Sequence, residues 1–337
     1  MQGLIACFGE VLLRFAPRGG ASLRDTHGLD LHVGGAEANV AVGLANLGLA
    51  TRMITILPEN DLGMLARKQL AAQGVDCSGI GSGAGRMGSY FATPAIGVRR
   101  GDVLYDRADS AFARFAADNF DPEAALEGAR HLHLSGISLA VSETASSATR
   151  ALAKAAKTRG LTLSVDGNYR PSLWEVAGRD PRPAIAELVA QADLFFGNHK
   201  DVSLLLNAEF PGDGEDRRRA AAEALLSEFR NLSTIASTAR HVDEHGAHHL
   251  VGRIDMREAQ AQSATRILAN VVDRIGTGDA FAAGVLSGWL ADPDNLSNAI
   301  ERGMALAALK HYTPGDFSLA TEAELRGAME GAADVAR

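Results

Sequence analysis

The chain has 337 residues, 46% of them apolar, and a net charge of -8, the make-up of a globular protein large enough for a well-buried core. The acidic balance argues against broad nucleic-acid binding, which needs a basic surface, but leaves room for a local basic pocket. No stretch approaches the roughly 20 apolar residues of a membrane span. No basic segment with an apolar leader follows Met1, and Cys7 and Cys77 alone make no disulfide framework, so a cytoplasmic location is expected.

In chain order, Leu4–Phe8 reads as a buried strand ending in Gly9-Glu10, and Val11–Phe15 as an extended segment broken by Pro17-Arg18-Gly19-Gly20. Leu29–Val33 alternates with period two, as a half-exposed strand does. Gly34-Gly35-Ala36-Glu37-Ala38-Asn39 leads from it into a helix over Ala38–Leu47, closed at Gly48. A strand at Thr51–Leu57 and a capped amphipathic helix at Asp61–Gln73 follow. Arg86–Arg107 differs: Tyr90-Phe91-Ala92 and Val103-Leu104-Tyr105 flank a middle containing Gly97, Arg99, Arg100 and Gly101, which predicts an antiparallel hairpin. With Leu29–Val33 that hairpin would make a small separate sheet.

From residue 124 the pattern alternates. Helices are predicted at Ala124–Ala129, Ser142–Arg159, Pro183–Ala192 and Arg217–Arg230. Strands are predicted at His131–Leu134, Leu161–Val165, Leu194–Phe196, Leu232–Ala236, His248–Val251 and Leu268–Val272, with helices at 280–290, 296–311 and 321–329 closing the chain. This is an α/β rhythm: a mostly parallel sheet with helices on both faces. Ligands bind such sheets at the carboxyl ends of the strands. Polar residues fall there repeatedly, at Asn168/Arg170, Asn198/Asp201, Thr238/Arg240 and Gly276–Asp279. No repeat or linker divides the chain, so one domain over 1–337 is expected, with the small sheet drawn from about 11–33 and 86–108.

Asp273-Arg274-Ile275-Gly276-Thr277-Gly278-Asp279-Ala280-Phe281 carries the strongest signal. Two glycines let the backbone turn tightly at a helix start, where free N–H groups attract an anion such as phosphate. A carboxylate repels phosphate, so Asp279 there suits proton abstraction from an attacking hydroxyl. The competing reading is a capped helix packed closely on its sheet. Asn39 suits a polar substrate or a solvent-facing turn. Tyr90, Tyr105 and Arg107 suit a cover over an anion or an ordinary hairpin. Arg170 suits a carboxylate. Asn198 and Asp201 suit a hydrated Mg²⁺ or a helix cap. His241, His245, His248 and His249 match no zinc spacing, and His131 and His133 suit structural roles.

The Asp-x-x-Gly-x-Gly-Asp stretch resembles the signature of the ribokinase-like (PfkB) carbohydrate kinases, and Gly34–Asn39 resembles that family's N-terminal substrate motif. Gly9-Glu10, His131–Ile137 and Asp166-Gly167-Asn168-Tyr169-Arg170 support the resemblance over nearly the whole chain, most closely to the 2-keto-3-deoxygluconate kinases. The resemblance implies ATP-dependent phosphorylation of 2-keto-3-deoxy-D-gluconate at its 6-hydroxyl. Other sugar kinases of the same fold, acting on keto-deoxygalactonate, fructose or ribose, and a non-catalytic sugar-acid-binding regulator are the alternatives. It makes Asp279 the base and the Gly276, Thr277 and Gly278 backbone the phosphoryl cradle. Gly34, Gly35, Asn39, Tyr90, Tyr105, Arg107, Arg170 and Asp316 would bind the sugar acid. Asn168, Asn198, Ser237, Thr238, Arg240, Gly276 and Gly278 would bind the nucleotide, and Asp201 a Mg²⁺ through water. ATP and Mg²⁺ are the implied cofactors, a monovalent cation a further candidate, and a β lid pairing two subunits the implied assembly. Two departures stand out: Ser237-Thr238-Ala239-Arg240 replaces a glycine-rich nucleotide loop, and Asp201 replaces the usual glutamate.

Overall fold

The computed structural model describes residues 3–95, 99–114, 120–212 and 214–331; Gly97, in the predicted hairpin, lies outside them. Apolar runs with short polar ends become the core strands. These are β1 (Leu4–Phe8), β4 (Thr51–Pro58), β8 (Ala129–Ser135), β9 (Thr162–Asp166), β10 (Leu194–Phe196) and β11 (Thr234–Val242). With β5 (Ile80–Gly83), β12 (His248–Asp255) and β13 (Gln260–Gln262) they run in the order β13-β12-β11-β10-β9-β8-β1-β4-β5, and β14 (Arg266–Leu268) pairs with β12. From β11 to β5 every pairing is parallel, while those of β12 are antiparallel.

Both faces of the sheet are covered, which is why its strands read as continuous apolar runs. Ile5 and Cys7 join one core with α1 (Ala36–Asn46), α2 (Asp61–Ala72), α10 (Thr277–Trp289), α11 (Leu296–His311) and Leu325 of α12 (Glu322–Glu330). Ala6 and Phe8 join the other with α4 (Gly136–Val141), α5 (Glu143–Thr158), α7 (Pro181–Val189), α8 (His199–Leu206) and α9 (Gly214–Glu228). The second sheet has four strands in the order β3-β2-β6-β7: β3 (Leu29–Gly34), β2 (Leu12–Pro17), β6 (Gly88–Thr93) and β7 (Asp102–Asp106). The predicted hairpin is the antiparallel pair of β6 and β7, with Tyr90 opposite Tyr105.

Four predicted elements are corrected. The strand placed at Leu232–Ala236 is β11, so Ser237–Arg240 lie within a strand paired with β12 and not in a loop beyond its end. The helix placed at Ala124–Ala129 is the shorter α3 (Pro122–Ala125), because Asp121 caps the N–H groups of Glu123 and Ala124 and Pro122 starts the turn. Leu126 is its C-cap, Gly128 beyond it sits at φ +73°, and Ala129 already belongs to β8. The strand placed at Leu268–Val272 stops at Leu268: Asn270 is left-handed and Val272 is 57% exposed. The chain there is pinned by the His311 carbonyl, which accepts the N–H groups of Val272 and Asp273. The helix placed at Pro183–Ala192 spans 181–189, shifted by its Asp180 cap and by Pro181. The short helices α4, α8 and α6 (Pro171–Ala177) carry too few turns for periodicity to show. Among the described residues no helix is long and apolar enough to cross a membrane.

Candidate active site

The turn before α10 shapes the site. Gly276 sits at φ +81°, and a side chain there would overlap the backbone carbonyl of Asp316, so only glycine fits. Among the described residues nothing accepts from the N–H groups of Gly276, Gly278 or Asp279. Open N–H groups at the start of a 13-residue helix form an anion site. They border a cleft of about 680 Å³ between the main and small sheets.

Asp279 lines this cleft, and its carboxylate accepts a hydrogen bond from Asn39 Nδ2 at 2.6 Å. Burial pushes its pKa up to about 7; nearby Glu37 and Asp316 add to this, against the Asn39 hydrogen bond and the Arg170 charge. A carboxylate titrating near neutrality can take up a proton at physiological pH. Asn39 Oδ1 is buried and has no partner among the described residues, which leaves it free to accept from a ligand.

At the ends of β9 and β10, Asp166, Asn168, Asn198 and Asp201 face the same cleft. Burial, then the charges of Asp279 and Asp201, pushes Asp166 up to about 7, and burial also raises Asp201. Asn198 and Asp201 form a capping box on α8: Asp201 accepts the Asn198 N–H at 2.8 Å and Asn198 Oδ1 accepts the Lys200 N–H at 2.8 Å. The capping reading of this pair holds, and both residues also line the cleft. Among the described residues no cluster of His, Cys, Asp and Glu forms a metal cage. An all-oxygen set beside a phosphate cradle fits a Mg²⁺ that keeps waters and shares phosphate oxygens.

The small sheet supplies the other wall through Leu12, Tyr90, Tyr105 and Arg107. Arg107 is largely committed: its Nε and Nη2 both donate to Glu10 Oε2, while Glu10 Oε1 accepts from the Ser110 hydroxyl at 2.5 Å. Its Nη1 is buried without a partner among the described residues. Arg170 is exposed at the cleft, with one bond to the Tyr169 carbonyl at 3.3 Å. Asp316 lines the cleft and accepts from the Tyr90 hydroxyl.

Gly35 lines the cleft but Gly34 does not; a side chain at Gly34 would overlap the Asp316 carboxylate, so its part is close packing. Ser237 and Thr238 line the cleft; Arg240 is exposed outside the lining, carried off by two further residues of β11. Arg274, unassigned from sequence, does line it.

Sequence reasoning missed Asp166, which lines the cleft, and Glu10, Arg14 and Glu37, which are buried outside its lining. Glu37 is buried, accepts from Ser135 at 2.6 Å and Ser138 at 3.3 Å, and is pushed up to about 7 by burial. A charge on the inner face of a half-buried strand was the one available signal for Arg14. Three histidines have protein partners: His131 and His133 are buried and share the Ser164 hydroxyl at 2.8 Å, and His249 contacts Asp243 at 2.9 Å.

The family model described as pfkB family carbohydrate kinase matches residues 2–318. The chain is 30% identical to 2-dehydro-3-deoxygalactonokinase of Haloferax volcanii, over 98% of each chain. It is 29% identical to 2-dehydro-3-deoxygluconokinase of Bacillus subtilis, over 92% of this chain and 90% of the other. A 2-dehydro-3-deoxygluconokinase structure from Thermotoga maritima superposes with a TM-score of 0.92 at 30% identity, covering 98% of this chain and 99% of that one. The fold is ribokinase-like, and the chain belongs to the pfkB family of ATP-dependent carbohydrate kinases.

Proposed function

We propose that this kinase transfers the terminal phosphoryl group of ATP to the 6-hydroxyl of 2-keto-3-deoxy-D-gluconate. The observation that carries the reading is the placement of Asp279 beneath the open N–H groups of the Gly276–Gly278 turn, in one cleft with the Arg170 guanidinium and the unpartnered Arg107 Nη1. Asp279 takes the hydroxyl proton. The turn's N–H groups meet the charge on the transferring group. Arg170 and Arg107 Nη1 hold the sugar carboxylate, with Asn39 Oδ1, the tyrosines and Asp316 meeting hydroxyls. Asn168, Asn198, Ser237 and Thr238 face the nucleotide end. Mg²⁺, held by Asp201 and Asp166 largely through water, would neutralise phosphate charge when bound. Phosphoryl transfer leaves the protein mostly positioning and electrostatic work.

The small sheet serves as the lid of a single kinase domain in this reading. Its outer face carries a row of paired apolar residues, Leu31, Phe15, Phe91 and Leu104, the first and last exposed. That row supports a homodimer joined through the lids, and a cytoplasmic location belongs to the same reading. A relative named for the galactonate epimer supports a second substrate reading, keto-deoxygalactonate. A coupled ADP-release assay over both sugar acids, fructose and ribose tests these readings. Turnover of a neutral sugar in preference to either acid overturns the assignment, and no ADP release with any of them favours a sugar-acid-binding regulator.

A further inference from the structure

The chemistry above leaves Arg14 unused, yet it pairs with two carboxylates, Asp273 and Asp316, between the two sheets. It sits on β2 at 3% exposure. Its Nη1 and Nη2 donate to Asp273 Oδ1 and Oδ2 at 3.1 and 2.5 Å, a fork on one carboxylate. Its Nε lies 2.9 Å from Asp316 Oδ2, an ion pair without hydrogen-bond geometry. Asp273 stands immediately before the phosphoryl turn and also accepts the N–H groups of Ile275 and Gly315, each at 3.0 Å. Asp316 in turn accepts from Tyr90 on β6, and its backbone carbonyl packs against Gly276. One guanidinium therefore ties the small sheet, the turn and the Gly315-Asp316 loop together.

These bonds have a direction. The sheet carries groups that would seat the sugar, and the turn carries N–H groups that would seat the transferring phosphoryl. Reacting atoms must sit within a narrow distance, and misplacement by about 1 Å costs on the order of 100-fold in rate. A planar fork fixes both distance and angle, which a lysine ammonium cannot do.

We propose that Arg14 is a positioning residue that registers the small sheet against the Gly276–Asp279 turn, so that sugar and phosphoryl are brought into line together. The inference rests on the sugar-kinase reading of the site. The test uses full-length Arg14→Lys and Arg14→Met. In the folded fraction, kcat with ATP and 2-keto-3-deoxygluconate should fall on the order of 100-fold, with calorimetric ADP affinity within about threefold of wild type. Lysine should restore thermal stability but not kcat. Hydrogen exchange on the ligand-free protein should quicken in β2–β3 and in 273–279 together.

A kcat within about threefold of wild type in both variants overturns the proposal, because a purely structural tie would lower the melting temperature and leave turnover per folded site intact. Faster exchange confined to β2–β3 also overturns it. If methionine abolishes folding, the lysine variant carries every measurement. If wild type phosphorylates no sugar acid, the substrate reading fails, while the ligand-free exchange experiment still decides the role of Arg14.

Discussion

The two walls of the cleft are made in different ways. The main-sheet wall is made of backbone: open N–H groups at Gly276, Gly278 and Asp279, and the capped start of α8 at Asn198. The small-sheet wall is made of buried side-chain pairs, Arg107 with Glu10 and Arg14 with Asp273 and Asp316. The glycine turn of the first wall lies within nine consecutive residues, Asp273–Phe281. The second is defined by partners far apart in the chain, Arg14 and Asp273 by 259 positions and Arg14 and Asp316 by more. A backbone wall survives side-chain change but not loss of a glycine, and a wall of buried ion pairs loses far more when one partner is removed than when both are.

Substitutions at each wall separate these properties. Asp279→Asn should lower kcat by at least about 100-fold, the scale of a lost general base, in the ADP-release assay, with circular dichroism unchanged. Glu10→Ala strands the buried Arg107 charge and should cost about 3–5 kcal/mol in urea unfolding. Loss of less than about 1 kcal/mol there would mean that the small-sheet wall does not depend on its ion pair. Arg170→Ala, at an exposed arginine, should raise KM for the sugar acid about 10-fold or more, on the scale of a charged hydrogen bond, and leave fold stability unmoved. An equal effect on a neutral sugar would remove the carboxylate role.

The smallest expected effect is on stability against pH. Asp279 is held near pKa 7 in the folded chain and titrates near about 4 when unfolded. A raised folded pKa means that stability is fully present below the unfolded value and is lost as pH rises through the folded one. Ligand-free Asp279→Asn should therefore melt a few degrees above wild type at pH 8, with the difference vanishing near pH 4. A difference independent of pH would show that Asp279 titrates normally. In the active enzyme the same group predicts kcat/KM that climbs with pH and levels off near about 7.

Legibility follows the same division. Asp279, Gly276 and Asn39 were readable because glycine spacing, a strand end and a helix start are local features. Arg107 was readable as a cleft residue but not as a residue tied to Glu10, since nothing in Gly9-Glu10 says which side chain will lie beside it. The strand placed at Leu268–Val272 failed for a related reason: apolar branching suits a strand, but the His311 carbonyl captured that backbone instead.

The sequence by itself determined the α/β layering, the separate small sheet, the glycine turn and the carboxylate beside it. These follow from hydrophobic period and from backbone conformations that particular residues permit. Tertiary structure alone decided which arginine is free and which is committed: Arg170 at the cleft mouth, Arg107 mostly held by Glu10, and Arg14 clamped on Asp273. It also raised Asp279 to near neutrality. Charge pairing and desolvation depend on distances across the folded chain, and the order of residues does not encode them locally.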